Sequence, residues 1–157
     1  MKLKSLVLLT LAVCAHSLRA SAAEKPHDPS THTHEKKTAG PNGGRILNGP
    51  DPRAEFFVTA DRKVQITFIG KDGKPVTPAG QVVIVTAGER AAPTKLAFTR
   101  TGNVLVSDGP LPAGNDVPTV VQIIPAPGAS TVTNKFHVDL TKCDECKNAE
   151  YACICDH

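Results

Sequence analysis

The stretch Lys63-Val64-Gln65-Ile66-Thr67-Phe68-Ile69 alternates apolar and polar residues with a period of two. In an extended chain successive side chains leave on opposite sides, so Val64, Ile66 and Phe68 share one face and Lys63, Gln65 and Thr67 the other. A helix would scatter the same residues around its circumference. The stretch therefore predicts a strand with a single buried face. Lys71-Asp72-Gly73-Lys74 follows it and predicts a reversal, because Asp-Gly supplies a self-bonding side chain and a residue tolerant of positive φ.

Working outward, short strand-like runs recur between turn signals. Arg45 to Leu47 is one, and Ala54 to Thr59 is another, with Phe56 and Val58 on one side. Gln81 to Thr86 is continuously apolar and predicts a strand buried on both faces. Lys95 to Arg100 carries Leu96 and Phe98. Asn103 to Ser107 carries Val104 and Val106, after a tight turn at Thr101-Gly102. Thr119 to Ile124 is strongly β-prone. Thr131 to Leu140 points Val132, Asn134, Phe136, Val138 and Leu140 inward and Thr133, Lys135, His137 and Asp139 outward. No run outside the leader has helical periodicity. Seven or eight short strands at this spacing predict an all-β protein, a single antiparallel immunoglobulin-like β-sandwich over residues 40–140. Thirteen prolines, twelve glycines and a single methionine accord with a strand-and-turn protein.

The segments flanking this domain differ from it. Lys2 and Lys4, the apolar Leu6 to Val13 and the small residues Ala20 to Ala23 form a secretory signal peptide, residues 1–23, too short to span a bilayer. The leader indicates a periplasmic or secreted destination. A lipobox-like Leu11-Ala12-Val13-Cys14 offers the lesser alternative of lipid anchoring through Cys14, with Val13 a poor fit beside the cysteine. Loss of Lys2, Lys4 and Arg19 takes 18 basic residues to 15, equal to the 15 acidic ones. A neutral mature chain excludes nucleic acid and anionic membrane surfaces as partners, since both require a basic excess. No later run has the length of a transmembrane helix. Residues 24–39 are polar, contain His27, His32 and His34, and predict a disordered arm. His32 and His34 form a usable but weak chelating pair, or are incidental to a solvated tether. Gly40-Pro41-Asn42-Gly43-Gly44 is a turn cluster.

Chemistry concentrates in the tail, residues 141–157: Cys143-Asp-Glu-Cys146-Lys-Asn-Ala-Glu-Tyr-Ala-Cys153-Ile-Cys155-Asp-His157. Thiolates two or three residues apart can turn toward one ion, and two such pairs can close a tetrahedral shell. Cys143, Cys146, Cys153 and Cys155 are the candidate ligands, with His157 a fifth, and Zn(II) and Cu(I) match their softness. Asp144, Glu145, Glu150 and Asp156 would draw cations toward the sulfurs. Two alternatives stand beside metal binding. One is a pair of structural disulfides formed in an oxidising compartment. The other is redox exchange at Cys143/Cys146, although no βαβ context surrounds that pair. His137 reads as a surface residue and Tyr151 as packing for the tail's loop. Asp61, Asp72 and Asp108 read as turn residues. No paired carboxylates in an apolar setting, nucleophile–base arrangement or phosphate-cradling loop points to an enzyme.

Three segments together resemble a known family. Gly40-Pro41-Asn42-Gly43-Gly44-Arg45 after a His-containing arm, Gly70-Lys71-Asp72-Gly73-Lys74-Pro75-Val76, and Thr101-Gly102-Asn103-Val104-Leu105 occur in that order in small exported β-sandwich domains of bacterial heavy-metal resistance systems. Such domains stand alone or are fused to periplasmic adaptor subunits of metal-efflux pumps. The family often has His at the position of Asn42, and its pattern does not include the cysteine tail. The resemblance implies a periplasmic role in metal resistance, with an efflux adaptor or another envelope protein as partner. Sequence reading and resemblance together predict a protein that sequesters or hands over Zn(II) or Cu(I). The rival expectation is a disulfide-stapled interaction module without metal.

Overall fold

The computed structural model describes residues 37–155. The signal segment with Cys14, the arm histidines His27, His32 and His34, and Asp156 and His157 lie outside the described residues. Ten strands and a short 3-10 helix follow one another among the described residues. The strands are β1 Arg45–Leu47, β2 Arg53–Val58, β3 Lys63–Ile69, β4 Pro75–Val76, β5 Val82–Ala87, β6 Thr94–Leu96, β7 Phe98–Thr101, β8 Val104–Pro110, β9 Asp116–Ile124 and β10 Val132–Asp139. The helix is Glu150–Ala152. No described helix is long and apolar enough to cross a membrane.

The strands form two antiparallel sheets. One has the order β1-β2-β3-β8-β7, with β4 paired to the end of β3, and the other the order β10-β9-β5-β6. Alternation in β3 has the expected result: Val64, Ile66 and Phe68 are fully buried. They join Phe56 and Leu105 of their own sheet and Val85, Val121, Ile123 and Val138 of the other in one core. Phe56 of β2 meets Phe136 of β10 edge to face, with ring centroids 5.2 Å apart, a geometry that places a positive ring edge on a negative ring face. Asn134 clamps the sheets at another point. Its Oδ1 accepts from the Asn48 N–H at 3.0 Å, and its Nδ2 donates to the Asn48 carbonyl at 3.0 Å.

The structure corrects several expectations. Lys95 to Arg100 is not one strand. It divides at Ala97 into β6, which pairs with β5, and β7, which pairs with β8 in the opposite sheet. The Asp108 side chain, in β8 rather than a turn, accepts from the Ala97 N–H at 3.1 Å, and the Asp108 N–H donates to the Ala97 carbonyl at 2.9 Å. This division and the short β4 raise the count from seven or eight to ten. Strand β5 is buried on one face only: Val83, Val85 and Ala87 face the core, while Val82 and Ile84 are 48% and 42% exposed. The continuous apolar run cannot distinguish the two situations, since both faces carry the same residue type. Thr67, expected outward, is 1% exposed.

The Gly-rich turn covers Thr67. Residues 39–45 fold back over the outer face of the first sheet, with Ala39 paired to Arg45, so the expected disordered arm ends before Ala39. Beneath this cap lies Glu55, completely buried. Its Oε1 accepts from the N–H groups of Asn42 and Gly44, both at 2.8 Å, and its Oε2 from Asn42 Nδ2 at 2.7 Å. Asn42 Nδ2 also donates to Thr67 Oγ1 at 3.1 Å. A buried carboxylate is costly unless its lone pairs are satisfied. Gly44 is required by this close approach, because a Cβ there would overlap the Phe56 carbonyl oxygen.

Candidate metal centre

The backbone after β10 is set by local hydrogen bonds. Asp139 Oδ1 accepts from both the N–H and the hydroxyl of Thr141, at 2.8 and 2.6 Å. Lys142 then pairs with Ala149 in an antiparallel bridge. The Cys143 N–H donates to the Asn148 carbonyl at 2.8 Å, and the Lys147 N–H returns to the Cys143 carbonyl at 3.1 Å. Lys147 closes the loop with φ of +63°, a left-handed conformation in which non-glycine residues are uncommon. Cys143–Asn148 is thus a tight knuckle that turns both its sulfurs one way. The 3-10 helix Glu150–Ala152 leads directly into Cys153 and Cys155, which approach from the other side.

The four sulfurs come together. Cys143 Sγ lies 3.5 Å from Cys153 Sγ and 3.9 Å from Cys155 Sγ, and Cys146 Sγ lies 3.7 Å from Cys153 Sγ. One ligand atom from each of the four residues lies within 4.8 Å of all the others. Four sulfurs bound tetrahedrally to an ion at about 2.3 Å would be separated by about 3.8 Å. A disulfide requires about 2.05 Å, and none is formed among the described residues. The cluster is therefore close enough to bind a metal ion. The spacing of C-x2-C and C-x-C foretold this convergence. His157, the fifth candidate, lies outside the described residues.

The sulfurs differ electrostatically. N–H groups of Ile154 and Asn148 point at the Cys146 sulfur and lower its pKa to about 6. Partial burial, then the neighbouring Cys146 sulfur and the Glu145 carboxylate, push the Cys155 thiol well above its ordinary value. At Cys153 the Cys155 N–H favours the thiolate, but burial and the flanking sulfurs of Cys143 and Cys146 outweigh it, and the pKa rises. Without a cation, one thiolate suppresses ionisation of its neighbours. A bound cation reverses that balance, because it attracts all four thiolates at once.

Residues far away in sequence hold the tail to the sandwich. Tyr151, expected to pack the tail's loop, also enters the core. It is 5% exposed, and its ring stands edge-on to Phe56 at 5.9 Å. Its hydroxyl oxygen accepts from the Val58 N–H at 3.0 Å. Arg45 donates to the Tyr151 carbonyl at 3.3 Å and lies 4.7 Å above the Phe136 ring. Burial lowers the Arg45 pKa and raises that of Tyr151. The tail thereby fills the seam between β1 and β10, the edge strands of the two sheets. Among residues 141–155 only Cys143, Tyr151 and Ala152 are buried.

A cleft of about 780 Å³ runs along the seam, with Cys153 and Cys155 in one wall and Lys37, Arg45, Arg53 and Glu150 around it. The bases suit a centre in which four thiolates outweigh the charge of a divalent ion. Sequence reading missed Arg45 and Tyr151 as supports of the cluster. His137 stands where expected, exposed and paired with Asp116 at 2.8 Å, away from the sulfurs' immediate partners. No family model, curated protein or solved structure matches the chain at a significant level.

Proposed function

We propose that this chain is an exported, non-enzymatic metal-binding protein that sequesters or hands over Zn(II) or Cu(I) through Cys143, Cys146, Cys153 and Cys155. One observation carries the reading: four sulfurs at 3.5–3.9 Å in the measured pairs, the spacing of a tetrahedral thiolate shell and nearly twice that of a disulfide. His157 is an additional donor, able to exchange with one sulfur. Four protein ligands leave no open coordination position for a reacting water, which favours storage or transfer over catalysis.

The setting follows from the sequence. The leader supports a periplasmic or secreted destination, and the resemblance to exported heavy-metal resistance domains supports a role in a resistance pathway with an efflux adaptor or another envelope protein as recipient. The pairing orders β2-β3-β8-β7 and β10-β9-β5-β6 correspond to the ABED and GFC arrangement of immunoglobulin-like sandwiches, with one added strand on the second sheet, and support that fold assignment. Elemental analysis and native mass spectrometry of protein purified without chelator from its own envelope test the function. One Zn or Cu ion per chain is expected. A mass lowered by the hydrogens of two S–S bridges, with no ion, refutes the reading and leaves a disulfide-stapled envelope module.

A further inference from the structure

The cysteines surround the only part of the tail that enters the core. Cys143 and Cys146 precede the 3-10 helix, Cys153 and Cys155 follow it, and Tyr151 between them occupies the seam between β1 and β10. Apart from the cluster, the tail is held by few buried groups: Tyr151 against Phe56, Ala152, and the Cys143 side chain. Its other anchors include the Val58 N–H donating to the Tyr151 hydroxyl, the Arg45 contact with the Tyr151 carbonyl and backbone bonds near the exposed Thr141 and Lys142. Cross-linking both ends of the loop through one ion adds to these contacts, because an ion that binds only the assembled ligands stabilises the conformation that assembles them.

We infer that the metal ion is the latch of the seam, so that ion occupancy and insertion of Tyr151 between the two sheets are a single equilibrium. This rests on the metal-binding reading and goes beyond it: release of the ion frees the tail, uncovers Phe56 and Phe136, and bares the outer edges of β1 and β10. The sandwich itself persists, since every member of its buried core cluster except Tyr151 and Ala152 precedes the tail. Metal status is thereby displayed on the protein surface as a seam that is closed when loaded and open when empty.

The sequence provides a reporter. Tyr151 is the sole tyrosine and there is no tryptophan, so tyrosine emission comes from the latch alone. The full chain, kept reduced with a phosphine, is compared with one equivalent of Zn(II) and after addition of a chelator. Acrylamide quenching is expected to increase several-fold on chelation, while the far-ultraviolet strand signal stays unchanged. Zn(II) bound by mass spectrometry with equal protection of Tyr151 in both states overturns the latch and leaves the metal-binding reading intact. Failure to bind Zn(II) or Cu(I) at all overturns both. Collapse of the strand signal on chelation also overturns the latch, because the ion would then hold the whole fold. A Cys153→Ser/Cys155→Ser variant is expected to have an accessible tyrosine whether or not Zn(II) is added, and a protected one overturns the proposal.

Discussion

Glu55 and the four cysteines pose the same problem, the placing of charge beside apolar surface, and solve it differently. Among the described residues Glu55 has no cation partner within hydrogen-bonding distance and is satisfied by three N–H donors from the Gly-rich turn. That arrangement requires a bare backbone at Gly44, where a Cβ would overlap the Phe56 carbonyl oxygen. Gly44→Ala is expected to cost about 2–3 kcal/mol, as overpacking of a rigid site does. Gly73→Ala, with φ of +79° but open space around it, is expected to cost only about 1 kcal/mol. Equal midpoints for the two variants in urea would contradict this account of the cap. The four cysteines instead lie close enough together to share a cation. Raised pKa values at Cys153 and Cys155 mean that these thiols hold protons at neutral pH that metal binding must displace. Affinity for Zn(II) therefore increases with pH, by about tenfold per unit for each proton released. Competition titrations between pH 6 and 8 measure the slope, and a flat profile would rule out thiolate ligation. The alternation at Val64, Ile66 and Phe68 was legible from sequence. Burial of Glu55 and Thr67 was not, because a period of two assigns residues to faces without revealing what covers each face.

Among the elements, legibility depended on whether neighbours in sequence are neighbours in space. The Thr101–Val104 reversal and the Asp72-Gly73 turn were readable because a few residues determine them. The division of residues 94–101 between two sheets was not. Leu96 and Phe98 fit one strand equally well, and only the pairing partners β5 and β8 separate them. The clamp from β10 to Asn48 was equally hidden, although Asn134 was correctly turned inward. Asn134→Ala removes both its bonds and is expected to destabilise the domain by about 1–2 kcal/mol; a loss below about 0.3 kcal/mol in denaturant titrations would show that water replaces the clamp. Strand β5 gives the opposite expectation. Val82 and Ile84 are 48% and 42% exposed, so Val82→Thr/Ile84→Thr is expected to cost no more than about 1 kcal/mol. A larger loss would mean that this face is covered.

At the scale of the whole molecule, an ion shared by the four sulfurs would tie tail and sandwich into one cooperative object. Binding to the folded form alone stabilises it by about 4 kcal/mol at a ligand concentration a thousand times the dissociation constant. Differential scanning calorimetry with increasing free Zn(II) is expected to show a midpoint that climbs with concentration, and an unmoved midpoint would separate the ion from folding. The cluster was legible because all its members lie within thirteen residues of sequence, Cys143 to Cys155. Its supports were not: Arg45 reaches Tyr151 across a separation of 106 residues, and no local pattern marks either partner.

The position of the cluster after β10 also orders events in time. A polypeptide is synthesised from its amino end, and domains generally fold as they appear. All ten described strands precede Cys143, so both sheets can begin to pair before the thiols of the tail are available. Sulfur chemistry then begins on a finished scaffold, which leaves the nascent strands free of mispaired bridges.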